Sequence, residues 1–414
     1  MKILFFTDNF PPEVNAPASR TFEHCRQWAA KGHEITVITC APNFPQGKVF
    51  DGYENKLWQT EQMGGIKVIR VWSYIAPNAG FVKRILDFVS YMVMAIIAAF
   101  FVERPNIIIG TSPQLFTVCA AWFTGLWRRV PYVFELRDLW PESIKAVGAM
   151  RQSFAITSLE KLEMFLYRRA AMIVAVTNAF KRNLVSRGIE AAKIEVVTNG
   201  VDLSRFQPGA KDAALTYQLG LDGCFVAGYV GTHGMAHALE TLADAAQLLQ
   251  RDHADLNIRI LFIGGGAAKA GLVSYVESKA IKGVILLDSV SKDEIPRHWS
   301  LLDCSIIHLR NTPLFSTVIP SKMFESFGCG IPVILGVVGE AAEILGASGA
   351  GVTFEPENAA DLAKALIGLA TDSAKRTQLS LNGTIAARQY DRAQLAGAML
   401  SHLEKVATRR EARQ

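Results

Sequence analysis

Residues 319–335 read IPSKMFESFGCGIPVIL, and no other stretch of this 414-residue chain is as informative. The pattern predicts a short helix that ends at Gly328, followed by a turn and a buried strand over 333–335. Lys322 and Glu325 stand three residues apart, so their side chains share one face of that helix. An ammonium group near a helix N-terminus suits a diphosphate, and a carboxylate one turn later can accept hydrogen bonds from vicinal sugar hydroxyls. The helix is therefore typical of a nucleotide-sugar site, although these residues alone are equally compatible with a surface ion pair.

The length and composition predict a two-domain globular protein. A chain of 414 residues exceeds what one hydrophobic core usually serves, and a hydrophobic content of 50% excludes a disordered chain. The six cysteines show no C-x-x-C spacing, which favours small core residues in a reducing compartment over a disulfide or zinc framework. The N-terminal residues read as a first strand and turn acidic too early for a signal peptide, so we expect a cytoplasmic protein.

Two series of short, nearly continuous hydrophobic runs alternate with helical stretches. Such runs predict parallel sheets that are covered by helices on both faces. The predicted strands of the first series are 3–7, 35–39, 68–72, 107–111, 132–136, 173–177 and 195–197. Those of the second series are 225–230, 258–263, 284–287, 305–309, 333–335 and 351–354.

The two series predict an α/β protein with two doubly wound, Rossmann-like domains. We expect the first domain over residues 1–200 and the second over 201–385, with both facing a central cleft at the carboxyl ends of their strands. Residues 386–414 are predicted to form a C-terminal helix that packs back on the first domain.

Positive charge is concentrated in the first half of the chain. Residues 1–200 hold 23 Lys and Arg against 16 Asp and Glu, whereas residues 201–414 hold 20 against 22. An apolar run over 88–102 is flanked by basic residues, and a second run over 115–127 ends in two arginines. The first run would form a helix of about 22 Å, shorter than the ~30 Å hydrocarbon core, so we do not expect it to span a bilayer. A buried crossover helix is one interpretation, but the pattern favours docking on an anionic membrane surface.

Further motifs follow the predicted strands at the edge where α/β proteins bind ligands. The proline-rich loop over 8–20 could offer backbone N–H groups to an anion, or could be a simple connector. Gly231-Thr232-His233-Gly234 after the strand 225–230, with a helix predicted from about residue 236, indicates a phosphate site. Gly265 lies in a glycine run on the same edge. Arg137 and Asp138 end the strand 132–136, where they are either site residues or an ion pair.

Taken together, these motifs resemble those of retaining glycosyltransferases of the two-Rossmann GT-B type, family four. The chain is particularly similar to bacterial enzymes of O-antigen, capsule and colanic-acid assembly. The resemblance covers essentially the whole chain and rests on FPP at 10–12, RDLWP at 137–141, NGVD at 199–202, VGTHG at 230–234 and PSKMFE at 320–325. It implies that a sugar is transferred from a UDP-sugar donor, expected to carry an N-acetylated amino sugar, to a polyprenyl-diphosphate-linked saccharide. The resemblance also implies that the transfer takes place at the inner face of the cytoplasmic membrane, and that no nucleic acid is a partner.

The resemblance also implies roles for individual residues. Glu325 would hold the ribose hydroxyls, Lys322 and the 231–234 turn would hold the diphosphate, and the acceptor would bind the first domain. The expected catalytic residues are Arg137, Asp138 and Lys322; the expected donor-binding residues are Asn15, Ala16, Gly231, Thr232, His233, Gly234, Gly265, Thr317, Lys322 and Glu325.

The chain departs from the family pattern in two places. Thr317 stands where the family has the first Glu of its Glu-x7-Glu pattern, and Thr232 and His237 stand in regions where many relatives carry Arg and Lys. Because no Asp-x-Asp motif follows a strand, we expect neither a metal nor another cofactor. Two alternatives stay open: a non-hydrolysing UDP-sugar epimerase, and a catalytically silent nucleotide-sugar-binding subunit, which Thr317 in place of Glu would suit.

Overall fold

The computed structural model describes residues 1–44, 46–75, 81–140, 142, 154–291 and 293–411. The chain folds as two compact units, which are treated separately below. The first comprises Met1–Thr198 and the segment that begins at Arg392, and the second comprises Asn199–Asp391. The chain thus crosses between the units close to the predicted boundary at 200, and returns a little later than the predicted 386. Pro141 of the RDLWP motif and the last three residues lie outside the described part of the chain.

The first unit is built on an eight-stranded sheet with the strand order β3-β4-β2-β1-β5-β6-β7-β8. Its strands are β1 (Lys2–Phe6), β2 (Glu34–Cys40), β3 (Trp58–Met63), β4 (Ile66–Val71), β5 (Ile107–Thr111), β6 (Tyr132–Leu136), β7 (Met172–Ala175) and β8 (Ile194–Val196). Its described helices of more than one turn are α1 (Ala16–Ala30), α2 (Phe81–Phe100), α3 (Leu115–Arg128), α4 (Phe154–Arg169) and α5 (Asn178–Ser186). The strands pair in parallel except β3, which runs antiparallel to β4 at the edge of the sheet. The doubly wound architecture predicted for this half is confirmed.

The second unit is built on a six-stranded parallel sheet with the order β11-β10-β9-β12-β13-β14. Its strands are β9 (Phe225–Val230), β10 (Ile258–Ile263), β11 (Val284–Leu287), β12 (Cys304–His308), β13 (Val333–Gly336) and β14 (Gly351–Thr353). Its described helices are α6 (Ala213–Gln218), α7 (Glu240–Asp252), α8 (Lys269–Ser278), α9 (Ile295–Trp299), α10 (Lys322–Gly328), α11 (Glu340–Ser348), α12 (Ala359–Thr371) and α13 (Ser373–Ala387). Val230 pairs with Ile263, so β9 and β10 end side by side and bring together the turns that follow them.

The last helix, α14 (Arg392–Glu411), belongs to the first unit. It packs along α1, where the buried indole Nε1 of Trp28 donates a hydrogen bond of 2.8 Å to the carbonyl of Ala396. Arg392 also forms an ion pair with Glu23 of α1. The C-terminal helix therefore completes the covering of the first sheet.

All but the last two residues of the apolar run over 88–102 lie in α2, which connects β4 to β5 as a crossover helix. Tyr91 on this helix is buried, and its hydroxyl lies 2.9 Å from the carbonyl oxygen of Thr7 and 2.8 Å from that of Ile38. One face of α2 is therefore part of the core, as the crossover interpretation requires. No helix in the described part of the chain is long and apolar enough to cross a membrane.

Candidate functional site

Two glycine turns lie stacked at the carboxyl ends of β9 and β10. Gly231, Gly264 and Gly266 have φ values of 131°, 147° and 148°, which side chains rarely allow. The backbone N–H of His233 donates a 2.8 Å hydrogen bond to the carbonyl of Gly265, which joins the turns. A Cβ on Gly264 would lie 1.9 Å from the carbonyl oxygen of Gly231. The glycines are thus required for the turns to approach each other, and the pair forms the base of a candidate site.

The ammonium group of Lys322 lies against this base. Its Nζ is 3.7 Å from the centroid of the Tyr229 ring, and a Cβ on Gly231 would lie 3.1 Å from it. The nitrogen is shielded from solvent and has no hydrogen-bond partner within the described part of the chain. Burial lowers the pKa of Lys322 to about 7, although the nearby carboxylate of Glu325 acts in the opposite direction. An unpaired buried cation is costly, so an anionic ligand would satisfy it.

His233 lies beneath the first glycine turn rather than at its surface. Its side chain is fully buried and packs against the rings of Tyr229 and Phe262, at centroid distances of 5.7 and 6.2 Å. Burial, with the charges of Lys269 and Lys322, lowers the pKa of His233 to about 4, so the ring is neutral at pH 7. His233 therefore shapes the turn through its backbone N–H, which donates to Gly265, and its neutral ring supplies no positive charge.

His237, which stands in the region where many relatives carry a lysine, is held by a second histidine. The backbone N–H of Glu357 donates to Nε2 of His308 over 2.8 Å, so the proton of His308 is assigned to Nδ1, which donates to the carbonyl of His237. Nδ1 of His237 lies 3.2 Å from the carbonyl of His308. Burial, reinforced by the charge of Lys322, lowers the pKa of His237 to about 3. The contacts between His237 and His308 fix the chain after the glycine turn. Because His237 is neutral, it supplies no positive charge beside Lys322.

The chain after the glycine turn also differs from the sequence prediction. A helix was expected to begin near residue 236. Instead, Met235–His237 form a single 3-10 turn, and α7 begins only at Glu240. The N-terminus of α7 is therefore displaced from the turn, and its dipole contributes less to the site than expected.

Glu325 and Thr317 lie on either side of the start of α10. Glu325 belongs to the first turn of the helix, as predicted, on the same short segment as Lys322. Thr317 ends a 3-10 turn over Phe315–Thr317, and its hydroxyl donates a 2.6 Å hydrogen bond to the carbonyl of Leu314. The Thr317 side chain is thus engaged within its own turn and offers no carboxylate to a ligand.

In the first unit, the predicted residues meet at the carboxyl edge of the sheet. The guanidinium of Arg137 donates 3.0 Å hydrogen bonds to the carbonyls of Ala16 and Pro17. Oδ1 of Asn15 accepts a 2.8 Å bond from the N–H of Ala18 and so caps α1. These contacts give Arg137 and Asn15 structural roles in the 8–20 loop. Their roles, and that of Ala16, in ligand binding remain predictions.

Asp138 follows Arg137 at the same edge of the sheet. It is half-buried, and Oγ of Ser112 accepts a 2.8 Å hydrogen bond from the N–H of Arg137 next to it. Burial is the main cause that lowers the pKa of Arg137 to about 10, so the guanidinium remains charged at neutral pH.

A group of carboxylates next to this loop was not predicted from the sequence; Glu13 is buried, and Asp8 and Asp87 are half-buried. Oε1 of Glu13 accepts 2.8 Å hydrogen bonds from the N–H groups of Asn43 and Phe44, whereas Oε2 has no partner in the described chain. Burial raises the pKa of Glu13 to about 7, and the charge of Asp8 adds to the effect. Burial and Asp8 also raise the pKa of Asp87 on α2 to about 7. In the sequence, the acidic residues Asp8 and Glu13 inside an otherwise apolar, proline-rich loop could have indicated this group.

A buried ion pair joins α1 to the end of the first unit. Nε of Arg20 lies 2.9 Å from Oε1 of Glu135 on β6, and both side chains are almost fully buried. The same guanidinium donates to the carbonyls of Val197 and Thr198, at 2.9 and 2.6 Å. Burial acts to raise the pKa of Glu135, but the charges of Arg20 and Arg137 outweigh it and keep that pKa below its ordinary value.

Comparison with known families decides the class of protein. Residues 18–205 match the model described as Glycosyltransferase Family 4, and residues 224–372 match the model described as Glycosyl transferases group 1. The protein is a glycosyltransferase. The glycosyltransferase class that the motifs indicated is therefore confirmed. The first match lies on the first unit except for residues 199–205, and the second match lies within the second unit.

Curated relatives are distant but cover much of the chain. This glycosyltransferase is 25% identical over 375 residues to the colanic acid biosynthesis glycosyl transferase WcaI of Escherichia coli (strain K12), across 86% of this chain and 89% of that protein. It is 24% identical over 226 residues to the teichuronic acid biosynthesis glycosyltransferase TuaH of Bacillus subtilis (strain 168), across 52% of this chain and 55% of that one.

Solved structures support the fold. Anabaena Alr3699/HepE, in complex with UDP and glucose, matches with a TM-score of 0.73 at 18% identity over 98% of this chain and 99% of that one. WaaG, a glycosyltransferase involved in lipopolysaccharide biosynthesis, matches with a TM-score of 0.69 at 14% identity over 97% and 99%. At these identities the likeness establishes the GT-B architecture of this glycosyltransferase.

Proposed function

We propose that this protein transfers a sugar, with retention of anomeric configuration, from a UDP-sugar to a polyprenyl-diphosphate-linked saccharide in surface-polysaccharide assembly. The donor sugar is an N-acetylated amino sugar. The observation that carries the proposal is the buried, unpaired ammonium of Lys322 beside two stacked glycine turns. The names of WcaI and WaaG, which refer to colanic acid and lipopolysaccharide, support a surface polysaccharide as the product, and the UDP bound to HepE supports the donor class.

The second domain holds the donor in this proposal. The diphosphate lies on the glycine turns and pairs with the ammonium of Lys322. Because His233 and His237 are neutral, they add no positive charge to this contact. As the bond between sugar and diphosphate breaks, negative charge grows on the departing oxygen. A fixed cation at that position therefore stabilises the transition state more than the ground state.

Glu325 binds the nucleoside end of the donor. It lies one helical turn from Lys322, so a single short helix would contact both the ribose and the diphosphate. Hydrogen bonds between a carboxylate and hydroxyl groups are charge-assisted and therefore stronger than neutral ones.

The first domain receives the acceptor. Asp138 lies at the carboxyl edge of its sheet, where α/β domains bind ligands, and Arg137 holds the neighbouring 8–20 loop in place. We assign acceptor contact to Asp138 and the positioning of the loop to Arg137.

An exposed apolar band on the first domain supports attachment to the membrane. The apolar band comprises Trp58, Phe100, Phe101, Leu126 and Trp127, with exposures from 41% for Trp58 to 75% for Phe101. The rings of Phe100 and Trp127 are 4.1 Å apart, and those of Trp58 and Phe101 are 6.0 Å apart, so the band is continuous across β3, α2 and α3. Exposed clusters of this kind, on a domain with excess positive charge, suit the interface of an anionic bilayer.

Vesicle binding tests the membrane part of the proposal. Wild-type protein should bind vesicles of phosphatidylglycerol and phosphatidylcholine at low salt, and high salt should release only part of it, because apolar burial is not screened. The double variant Phe101→Ser, Leu126→Ser should lose the salt-resistant part. Tyr217→Ser, which changes a residue 81% exposed in the second domain, is the matched control. Wild-type protein that ignores these vesicles at low salt would contradict the membrane role.

Product analysis tests the reaction. Purified protein is incubated with UDP-N-acetylglucosamine and other UDP-sugars, with and without polyprenyl-diphosphate-linked saccharides, and with and without EDTA. Acceptor-dependent release of UDP with transfer of the sugar, unaffected by EDTA, is the expected result. An epimerised UDP-sugar formed without an acceptor would indicate an epimerase instead, and donor binding without turnover would indicate a silent subunit.

A further inference from the structure

The amine of Lys322 is held where it gains little from being charged. An ammonium group carries three donors, yet within the described chain no acceptor lies within hydrogen-bond distance of this nitrogen, and water does not reach it. Its nearest partner is the face of the Tyr229 ring, 3.7 Å away. The hydroxyl of that tyrosine donates to the carbonyl of Thr232 over 2.7 Å and forms no hydrogen bond with the Lys322 nitrogen. A cation–π contact is weaker than the hydration that a buried ammonium gives up.

The charged and titratable groups around Lys322 come from several elements. From β9 and the turn after it come Tyr229, His233 and His237, which are neutral at pH 7. From α8 comes Lys269, whose ammonium is already bonded to the carbonyls of Gly264 and Leu287 at 3.0 and 2.8 Å. From α10 itself comes the carboxylate of Glu325, which favours the charged form of Lys322.

When the site is empty, these effects leave the neutral amine and the ammonium comparably populated at pH 7. Burial is the largest cause, and it lowers the pKa of Lys322 to about 7 in spite of Glu325. A diphosphate placed on the glycine turns would favour the ammonium, because it brings negative charge and hydrogen-bond acceptors to the amine of Lys322.

We propose that donor binding takes up a proton at Nζ of Lys322, so that this residue is a neutral amine in part of the empty protein and an ammonium in the complex. The inference rests on the proposed function of the second domain. The proton comes from solvent when the diphosphate arrives, and it is returned when UDP leaves. Lys322 is thus fully protonated only while a diphosphate leaving group is bound.

Two consequences can be measured. At pH 8, a group of pKa about 7 is about nine-tenths deprotonated, so wild-type protein should take up about 0.9 proton at Lys322 for each UDP bound. Affinity for UDP should also fall about tenfold for each pH unit between 8 and 9, because protonation of Lys322 becomes part of the binding reaction. The diphosphate of UDP is already fully ionised in this range.

Calorimetry with UDP in HEPES and in Tris buffer at pH 8 gives the proton count, since these buffers differ in ionisation enthalpy. Lys322→Arg is the matched control, because guanidinium stays charged and should reduce the uptake by about 0.9 proton. Contributions from the UDP phosphates cancel in this comparison. Equal uptake by the two proteins would overturn the proposal.

If the arginine variant does not bind UDP, the pH dependence of the wild-type affinity decides instead. A dissociation constant that is unchanged from pH 8 to 9 would overturn the proposal. Wild-type protein that fails to bind UDP at any pH would contradict the proposed function itself, whereas binding without proton uptake would contradict only the inference about Lys322.

Discussion

Replacing Lys322 by methionine should stabilise the empty second domain and abolish its response to UDP. Folding lowers the pKa of this lysine from 10.5 to about 7. At about 1.4 kcal/mol per pKa unit, the shift corresponds to at most about 5 kcal/mol of unfolding free energy lost at pH 7. Methionine has a similar length, carries no charge and packs well against the Tyr229 ring, so it removes this cost without leaving a cavity.

The pH dependence separates this explanation from a simple packing effect. Because the folded pKa is the lower one, the unfolded chain binds more protons between pH 7 and 10.5, and wild-type stability rises with pH in that window. The gap between Lys322→Met and wild type should therefore shrink from at most about 5 kcal/mol at pH 7 to about 2 kcal/mol at pH 9.

Urea denaturation at both pH values, with and without UDP, measures these differences. Lys364→Met, which changes an exposed lysine of the same domain, should alter stability by less than about 0.5 kcal/mol. Equal stability of wild type and Lys322→Met at pH 7, or a gap that does not shrink at pH 9, would refute the reasoning.

Three further predictions concern single side chains. Glu325→Gln should weaken UDP binding by roughly 10- to 100-fold in calorimetry with an unchanged circular dichroism spectrum, because it loses charge-assisted hydrogen bonds worth ~1.5–3 kcal/mol; unchanged affinity would exclude the ribose role. Gly264→Ala should destabilise the second domain and prevent UDP binding, because its Cβ would lie 1.9 Å from the carbonyl of Gly231, whereas Gly271→Ala, with nothing within 4 Å, should behave as wild type. Glu13→Gln should stabilise the protein at pH 8 by up to about 3 kcal/mol, since the raised pKa of Glu13 makes wild-type stability fall between pH 4.5 and 7; equal urea midpoints at pH 8 would contradict this.

The parallel sheets were predictable because their strands are buried on both faces. Continuous β-branched runs gave the observed bounds of β5, β6, β9, β10 and β11. β3 was missed because its sequence, WQTEQM, has four consecutive polar residues at a sheet edge, and no residue of this strand is fully buried. An edge strand of this kind carries too weak a hydrophobic signal to be distinguished from a loop.

The candidate site was predictable in its backbone and less so in its side chains. The spacing of Lys322 and Glu325 placed both on one helical turn, and the glycines marked the close approach of two turns. Sequence pattern could not indicate that His233 points into the core, because a four-residue turn has no periodicity to define a face. Nor could it assign Arg137 to the carbonyls of Ala16 and Pro17, which are about 120 residues away along the chain.

Hydrogen–deuterium exchange with and without UDP tests the central claim, that the second domain binds a nucleotide diphosphate on its glycine turns. Saturating UDP should slow exchange in peptides that cover residues 229–237, 263–268 and 319–328. Peptides around Arg251, in the last turn of α7, should show no comparable protection. Unchanged exchange in all three segments at saturating UDP, or protection confined to the first domain, would contradict the account.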